Sequence, residues 1–267
     1  MGFILSCATT PQRIGKLIHI IPHLSGYKYF VINVCQEYKR FGKFKIPKEL
    51  LQLCKKNKKV VFQFVDDYGP VCKYVGGFRF MKKKKLLNDK LIIIDDDTKY
   101  NKNLFYELMD NKTNSNITTG SGFDYDEKFN YKIVEGKTDM VEGYGGICFD
   151  YDQYNEFIEW FVGFYKHFKF KNDILIDKYL SASFLGDDFI LSNLYNHKHA
   201  IQSGRQYIQP YSYGFEDDAL HKNNVFGSNM GSYKFLNDEI MIFNTFKLKY
   251  ILNKSINEIR TISKATA

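Results

Sequence analysis

In the run Leu91-Ile92-Ile93-Ile94-Asp95-Asp96-Asp97, four branched apolar side chains stop abruptly at three carboxylates. Such a run fits a strand buried on both faces of a parallel sheet. Its end delivers acids to the rim where open α/β sheets gather their ligands. Side chains alternate along extended backbone, so Asp95 and Asp97 are expected to point one way and Asp96 the other. The pair can then grip a divalent cation, directly or through the oxygens of a bound diphosphate. Without a cation or a cluster of basic groups, the acids would repel and shift each other's titration. The alternative is a polar turn after a core strand.

The preceding residues repeat a strand-helix rhythm that places this strand fourth in a βαβ series. Strands are expected at Gly2 to Ser6, Tyr29 to Val34 and Val60 to Val65. Helices are expected at Ile14 to Leu24 and at Pro47 to Asn57, the latter with Pro at its first turn. Pro70 to Lys85 reads as helical early, loosened at Gly76-Gly77 and ended by the solvated run Lys82 to Lys85. Strand one is followed by Thr9-Thr10-Pro11-Gln12-Arg13, and strand three by Asp66-Asp67-Tyr68-Gly69-Pro70 and then Lys73. Each terminus alone is compatible with an ordinary turn. Hydroxyls, an arginine, acids and a lysine on one rim suit a nucleoside diphosphate and its metal.

The second half reads as shorter strands, at Ile117 to Thr119, Tyr131 to Val134 and Thr138 to Val141. These lead to Glu142-Gly143-Tyr144-Gly145-Gly146, where glycines permit close approach to a ligand or simply a bend. An aromatic helix is expected from Asp150 to about Phe168. Gly186-Asp187-Asp188 precedes an amphipathic start, so that one aspartate caps a helix and the other is available to a cleft. Leu236 to Leu252 and Ile256 to Ile262 read as terminal helices. No internal repeat or low-complexity linker divides the chain, and 267 residues suit one α/β unit.

Composition narrows the partners. With 38 Lys+Arg against 30 Asp+Glu the chain is basic, which suits an anionic ligand. Five widely spaced cysteines without a Cys-x-x-Cys signal neither a disulfide framework nor a zinc site. No stretch is apolar for long enough to span a bilayer, and Met1 to Ala8 lacks a secretion signal. Cytoplasmic location is the expectation.

Taken in order, Thr9 to Arg13, Asp67-Tyr68-Gly69-Pro70 with Lys73, Asp95-Asp96-Asp97, Glu142 to Gly146, Gly186-Asp187-Asp188 and Asp218-Ala219-Leu220-His221 resemble a nucleotide-sugar glycosyltransferase of the GT-A fold. The likeness is to small glycosyltransferases of bacterial capsule systems and large DNA viruses. It implies one GT-A-like α/β domain over 1–267, with a mostly parallel sheet flanked by helices. Residues 1–100 would bind nucleotide, 101–235 would serve acceptor and donor sugar, and 236–267 would form terminal helices. It further implies a hexosyltransferase taking a UDP-sugar donor and a glycan or glycoprotein acceptor, with no nucleic acid partner.

In that family's pattern Asp95 and Asp97, with His221, would hold Mn²⁺ or Mg²⁺, and Asp96 would lie nearer the ribose or donor sugar. Thr9, Thr10, Arg13, Asp67 and Lys73 would line the nucleoside and phosphate pocket. Glu142, Tyr144 and Gly145 would shape the sugar side. Asp188, or failing it Asp187, would take the acceptor's proton in an inverting enzyme, or orient the sugar in a retaining one. Two rivals remain from the residues alone. Clustered aspartates on a basic protein also serve metal-dependent phosphoryl transfer or a nuclease, and a non-catalytic carbohydrate-binding module would use the acids only to end a strand.

Overall fold

The structure is a computed structural model that describes residues 2–39, 41–43, 45–113, 117–125, 131–154, 187–195, 197–202 and 204–210. The first half contains β1 (Phe3–Ala8), β2 (Tyr29–Cys35), β3 (Glu37–Tyr38), β4 (Gly42–Lys43), β5 (Val60–Val65), β6 (Lys90–Ile93) and β7 (Thr98–Tyr100). The second half adds β8 (Ile117–Thr119), β9 (Gly122–Tyr125), β10 (Tyr131–Val134), β11 (Gly136–Lys137), β12 (Met140–Val141), β13 (Ile147–Phe149), β14 (Lys198–Ala200) and β15 (Ile208–Pro210). Between them lie helices α1 (Leu17–Ile20), α2 (Lys48–Lys56), α3 (Cys72–Lys84), α4 (Lys102–Asp110) and α5 (Asp187–Leu194).

The central sheet has eight strands in the order β11-β14-β8-β13-β6-β1-β2-β5. Strands β5, β2, β1 and β6 are mutually parallel, β13 runs antiparallel to β6 and β8, and β8 pairs parallel with β14. The architecture is therefore mixed α/β with a mainly parallel sheet flanked by helices, as expected. Alternation along β1 sends Ile4 into one apolar layer with Tyr74, Phe78 and Met81 of α3. Phe3 and Leu5 enter the opposite layer with Leu17, Leu50, Phe105 and Leu108 of α1, α2 and α4. Because the chain runs outward from β1 through β2 to β5 and then returns to β6 beside β1, the order reverses between β1 and β6. That reversal opens a crevice at their carboxyl ends.

The expected loosening at Gly76-Gly77 does not occur: α3 runs unbroken from Cys72 to Lys84 and ends at the left-handed Lys85, φ 57°. The glycines instead allow the helix to close on the sheet. A Cβ on Gly76 would stand 1.7 Å from Asn33 Oδ1, and one on Gly77 would stand 2.7 Å from a Leu91 methyl. We predict that Gly76→Ala lowers stability by about 1–3 kcal/mol through overpacking, read as a lower urea midpoint. An unchanged midpoint would show that the interface can part without cost.

Other boundaries move for local reasons. Ile14 to Leu24 is a chain of short turns, 3₁₀ over Ile14–Lys16, α over Leu17–Ile20 and 3₁₀ over Ile21–His23, where Pro22 denies an amide to a longer helix. Thr138 to Val141 shortens to Met140–Val141; Thr138 N donates instead to Lys198 O of β14 at 3.2 Å, and its hydroxyl lies 2.8 Å from Met140 O. The helix expected from Asp150 starts as a 3₁₀ turn, Tyr151–Gln153, with a reciprocal Asp150–Gln153 capping box, and the rest of it lies outside the described residues. The terminal helices expected at 236–252 and 256–262 also lie outside them. Helix α4 was not anticipated, although Asn101 caps it by accepting from Asn103 N at 3.0 Å. Among the described residues no helix is long and apolar enough to cross a membrane.

Candidate active site

The crevice at the carboxyl ends of β1 and β6 holds a cavity of about 160 Å³. Thr9, Thr10, Arg13, Asp67, Lys73, Asp95, Asp96, Asp187 and Asp188 all line it, together with Asn33, Cys35, Tyr38 and Cys72. Residues from the ends of β1, β2, β5 and β6 and from the starts of α3 and α5 thus meet in one place. Asp97 does not line the cavity but joins it through Arg13.

Two buried cations organise the acids. Lys73, on the first turn of α3, reaches Asp95 Oδ1 at 2.6 Å and Asp187 Oδ2 at 2.9 Å. Arg13 reaches Asp96 Oδ1 at 2.5 Å and Asp97 Oδ2 at 2.6 Å. The expected alternation fails here, since Asp96 and Asp97 share one guanidinium while Asp95 faces a lysine. The reason is that β6 ends at Ile93 and Asp96-Asp97 lie in the turn before β7, where extended geometry no longer applies. Tyr100, at the end of β7, fixes this turn by accepting a hydrogen bond from Asp95 N at 2.9 Å.

The rim is anchored mostly by bonds between residues distant in sequence. Tyr38 donates to Thr9 O at 2.8 Å, and Asp67 accepts from Lys39 N at 2.7 Å and Gly69 N at 3.0 Å. Asn33 donates to Ser6 Oγ and Cys7 O, both at 2.8 Å, while Ser6 Oγ donates to Lys73 O at 2.6 Å, tying β2, β1 and α3 together beneath the cavity. The Thr10 hydroxyl, Asn33 Oδ1 and Asp96 Oδ2 are buried without a hydrogen-bond partner among the described residues. Buried polar atoms on a cavity wall are what a polar ligand satisfies.

Asp96, Asp187 and Asp188 are held at high proton affinity. Burial pushes the Asp96 carboxyl up to about 6 although Arg13 pulls it down. Burial likewise raises Asp187 against the pull of Lys73, and raises Asp188 well above the ordinary carboxylate range, with the neighbouring Asp187 charge adding to it. Burial acts to lower Lys73, but Asp187, Asp95 and Asp188 outweigh it, and its ammonium keeps its proton well above the ordinary value.

The glycine-rich turn meets this site at its edge. Gly143 N donates to Asp188 Oδ1 at 2.7 Å, and a Cβ on Gly143 would stand 2.6 Å from Lys73 Nζ. Behind it, Glu142 accepts from Arg205 at 2.7 Å and from the Ser121 hydroxyl. The Arg205 guanidinium lies 5.9 Å from the Tyr144 ring centroid, and burial followed by Glu142 pushes the Tyr144 phenol up to about 12. Gly145 lies against the Ser121 backbone, with 2.6 Å from its added Cβ to Ser121 N. Glu142, Tyr144 and Gly145 therefore form a second cluster, linked to the cavity through Gly143. Gly186 and Asp218 to His221 lie outside the described residues.

Sequence reasoning missed Asn33, Tyr100, Ser121 and Arg205. Asn33 carried a signal, an amide inside the apolar run Tyr29 to Cys35 that must find partners when buried. Arg205 carried none, since its contacts are made to residues 63 and 84 positions away in sequence.

No family model matches the chain, and no curated protein matches it. Solved structures do show likeness. A 4-diphosphocytidyl-2C-methyl-D-erythritol synthase aligns at 8% identity and TM-score 0.37, over 57% of this chain and 74% of that one. The HddC protein of Yersinia pseudotuberculosis aligns at 14% identity and TM-score 0.32, over 57% and 76%. A synthase of the first kind from Anaerococcus prevotii DSM 20548 aligns at 11% identity and TM-score 0.38, over 67% and 82%. At this extent of likeness the activities of those proteins do not transfer to this chain.

Proposed function

We propose that the cavity binds a nucleoside diphosphate sugar, a UDP-sugar, together with Mn²⁺ or Mg²⁺, and that the protein transfers the sugar to a hydroxyl of a glycan or glycoprotein. The carrying observation is an excess of acid at the switch point of the sheet. Among the described residues Asp67, Asp95, Asp96, Asp187 and Asp188 line the cavity with two cations, Arg13 and Lys73, and Asp67, Asp96 and Asp187 of these acids are buried. A cation would offset the charge of an anionic diphosphate in such a place, and the proton affinities of Asp96, Asp187 and Asp188, raised first by burial and also by neighbouring carboxylates, support that reading. Hard carboxylate oxygens suit Mn²⁺ or Mg²⁺.

By resemblance Asp95 and Asp97 would hold the ion, with His221 a further ligand; Asp95 already lines the cavity, whereas Asp97 would have to leave its Arg13 partner to reach the ion. When bound, it supplies Lewis-acid neutralisation of the departing diphosphate. Thr9, Thr10, Arg13 and Asp67 offer the nucleoside and phosphates their donors and acceptors, and Lys73 keeps a fixed positive charge beside Asp95. Asp188, with its Oδ1 on Gly143 N, takes the acceptor's proton, its raised proton affinity making the carboxylate a stronger base than an ordinary one. The Glu142–Arg205–Tyr144 cluster on the far side of Gly143 offers polar groups and an aromatic face to sugars.

Metal-dependent phosphoryl transfer or nuclease action calls for a continuous basic groove. The described cations at the cavity are already held by aspartates, and Lys82 to Lys85 are exposed at the opposite end of α3. A panel of nucleotides and sugar nucleotides with Mn²⁺ and Mg²⁺ tests the reading by thermal shift. At ligand near a hundred times Kd, mass action adds about 2.7 kcal/mol, or roughly 5–10 °C in a chain of this size. We expect UDP or a UDP-sugar to give that shift only with metal. No shift with any nucleotide under either ion removes the proposal.

A further inference from the structure

We propose that Cys35, Asp67 and Cys72 form a binding site for a thiophilic divalent cation of the zinc class, set in the wall of the cavity and separate from the acids at 95–97. Cys35 ends β2, Asp67 follows β5 and Cys72 opens α3, and none is adjacent to another in sequence. Their sulfur atoms and a carboxylate oxygen all lie within 4.8 Å of one another, and all three residues are buried. Tetrahedral zinc with ordinary Zn–S and Zn–O bonds separates its ligand atoms by roughly 3.5–3.8 Å, so closure needs movements on the order of 1 Å. All three residues line the cavity, which leaves the fourth position to a water.

The surroundings hold the ligands as metal sites hold theirs. Tyr68 N donates to Cys72 Sγ at 3.3 Å, a bond that strengthens when the sulfur is a thiolate. Lys39 N and Gly69 N orient the Asp67 carboxylate at 2.7 and 3.0 Å and leave each oxygen a second lone pair. Binding displaces one proton from each thiol to solvent and involves no change of oxidation state. Two thiolates, a carboxylate and a divalent ion sum to a single negative charge. The Lys39 ammonium, which interacts with Asp67, Cys72 and Cys35, opposes that charge, with Asp66 the further acid nearby. Sulfur selects zinc and cadmium over the hard ions suited to aspartates. On the reading proposed above, ion and nucleotide would contend for the same cavity.

Cadmium alone is the probe, titrated into the reduced full-length chain without nucleotide. We expect a thiolate-to-cadmium ultraviolet charge-transfer band saturating at one ion per chain, competed away by zinc and not by magnesium. The band should be lost in both Cys35→Ser and Cys72→Ser and kept in Cys54→Ser, with all variants shown folded by their melting. Absence of the band, its survival in either cavity-lining variant, or Cys35–Cys72 cross-linking under peroxide with no cadmium uptake by the reduced chain overturns the proposal. Because no nucleotide is present, these outcomes leave the transferase reading untouched.

Discussion

Replacing Asp188 with Asn is expected to lower turnover by about 10²- to 10⁴-fold while leaving the metal-dependent nucleotide shift in place. The asparagine carbonyl still accepts from Gly143 N, so the turn at the cavity edge keeps its anchor, and only the proton-accepting oxygen is lost. Burial and the adjoining Asp187 charge raise the native carboxyl, so the activity of the parent should climb with pH through a midpoint well above the ordinary carboxylate value of about 3.9. That acid limb should vanish in the variant. Steady-state sugar transfer, measured beside thermal shift with UDP and Mn²⁺, separates the two effects. Full turnover in the variant excludes Asp188 as the base, and loss of the nucleotide shift assigns it to binding.

The second large effect is on stability. Lys73 is only 3% exposed yet carries a charge between Asp95 and Asp187. Lys73→Met keeps most of the stem and strands those carboxylates, which costs about 3–5 kcal/mol when one partner of a buried pair is removed. The sign with pH follows from the direction of the shifts. Asp187 and Asp188 already bind protons more tightly folded than unfolded, so their contribution is present in full below the unfolded value and is lost as pH rises through the folded ones. Asp96, up at about 6, acts in the same sense. Without the lysine cation the folded affinities of Asp187 and Asp188 rise further. The gap between variant and parent should therefore be wide at pH 8 and narrow toward pH 5. Urea midpoints of both proteins at the two pH values measure it, and a gap that is small or independent of pH would mean that Lys73 does not carry the charge balance of this site.

Much of the frame is written locally. The apolar runs at Phe3, Tyr29, Val60 and Leu91 each contain enough branched or aromatic residues to be strands, and the polar stop after each is a matter of neighbouring residues. Placement of the rim followed from topology, since parallel strands joined by crossovers put their carboxyl ends on one edge. What failed is instructive for the same reason. Gly76-Gly77 weakens a helix taken alone, but here the missing side chains let α3 approach Asn33 and Leu91, contacts that no local rule contains.

The sequence alone determined which residues end the strands and that acids, hydroxyls and two cations would share an edge, because strand period and chain connectivity act over a few residues at a time. Tertiary structure alone decided the pairing. Lys73 stands between Asp95 and Asp187, Arg13 between Asp96 and Asp97, and Arg205 beside Glu142, because ion pairs are chosen by distance in space after packing. The turn at Asp96-Asp97 and the convergence of Cys35, Asp67 and Cys72 depend in the same way on how β2, β5, β6 and α3 come to lie against each other.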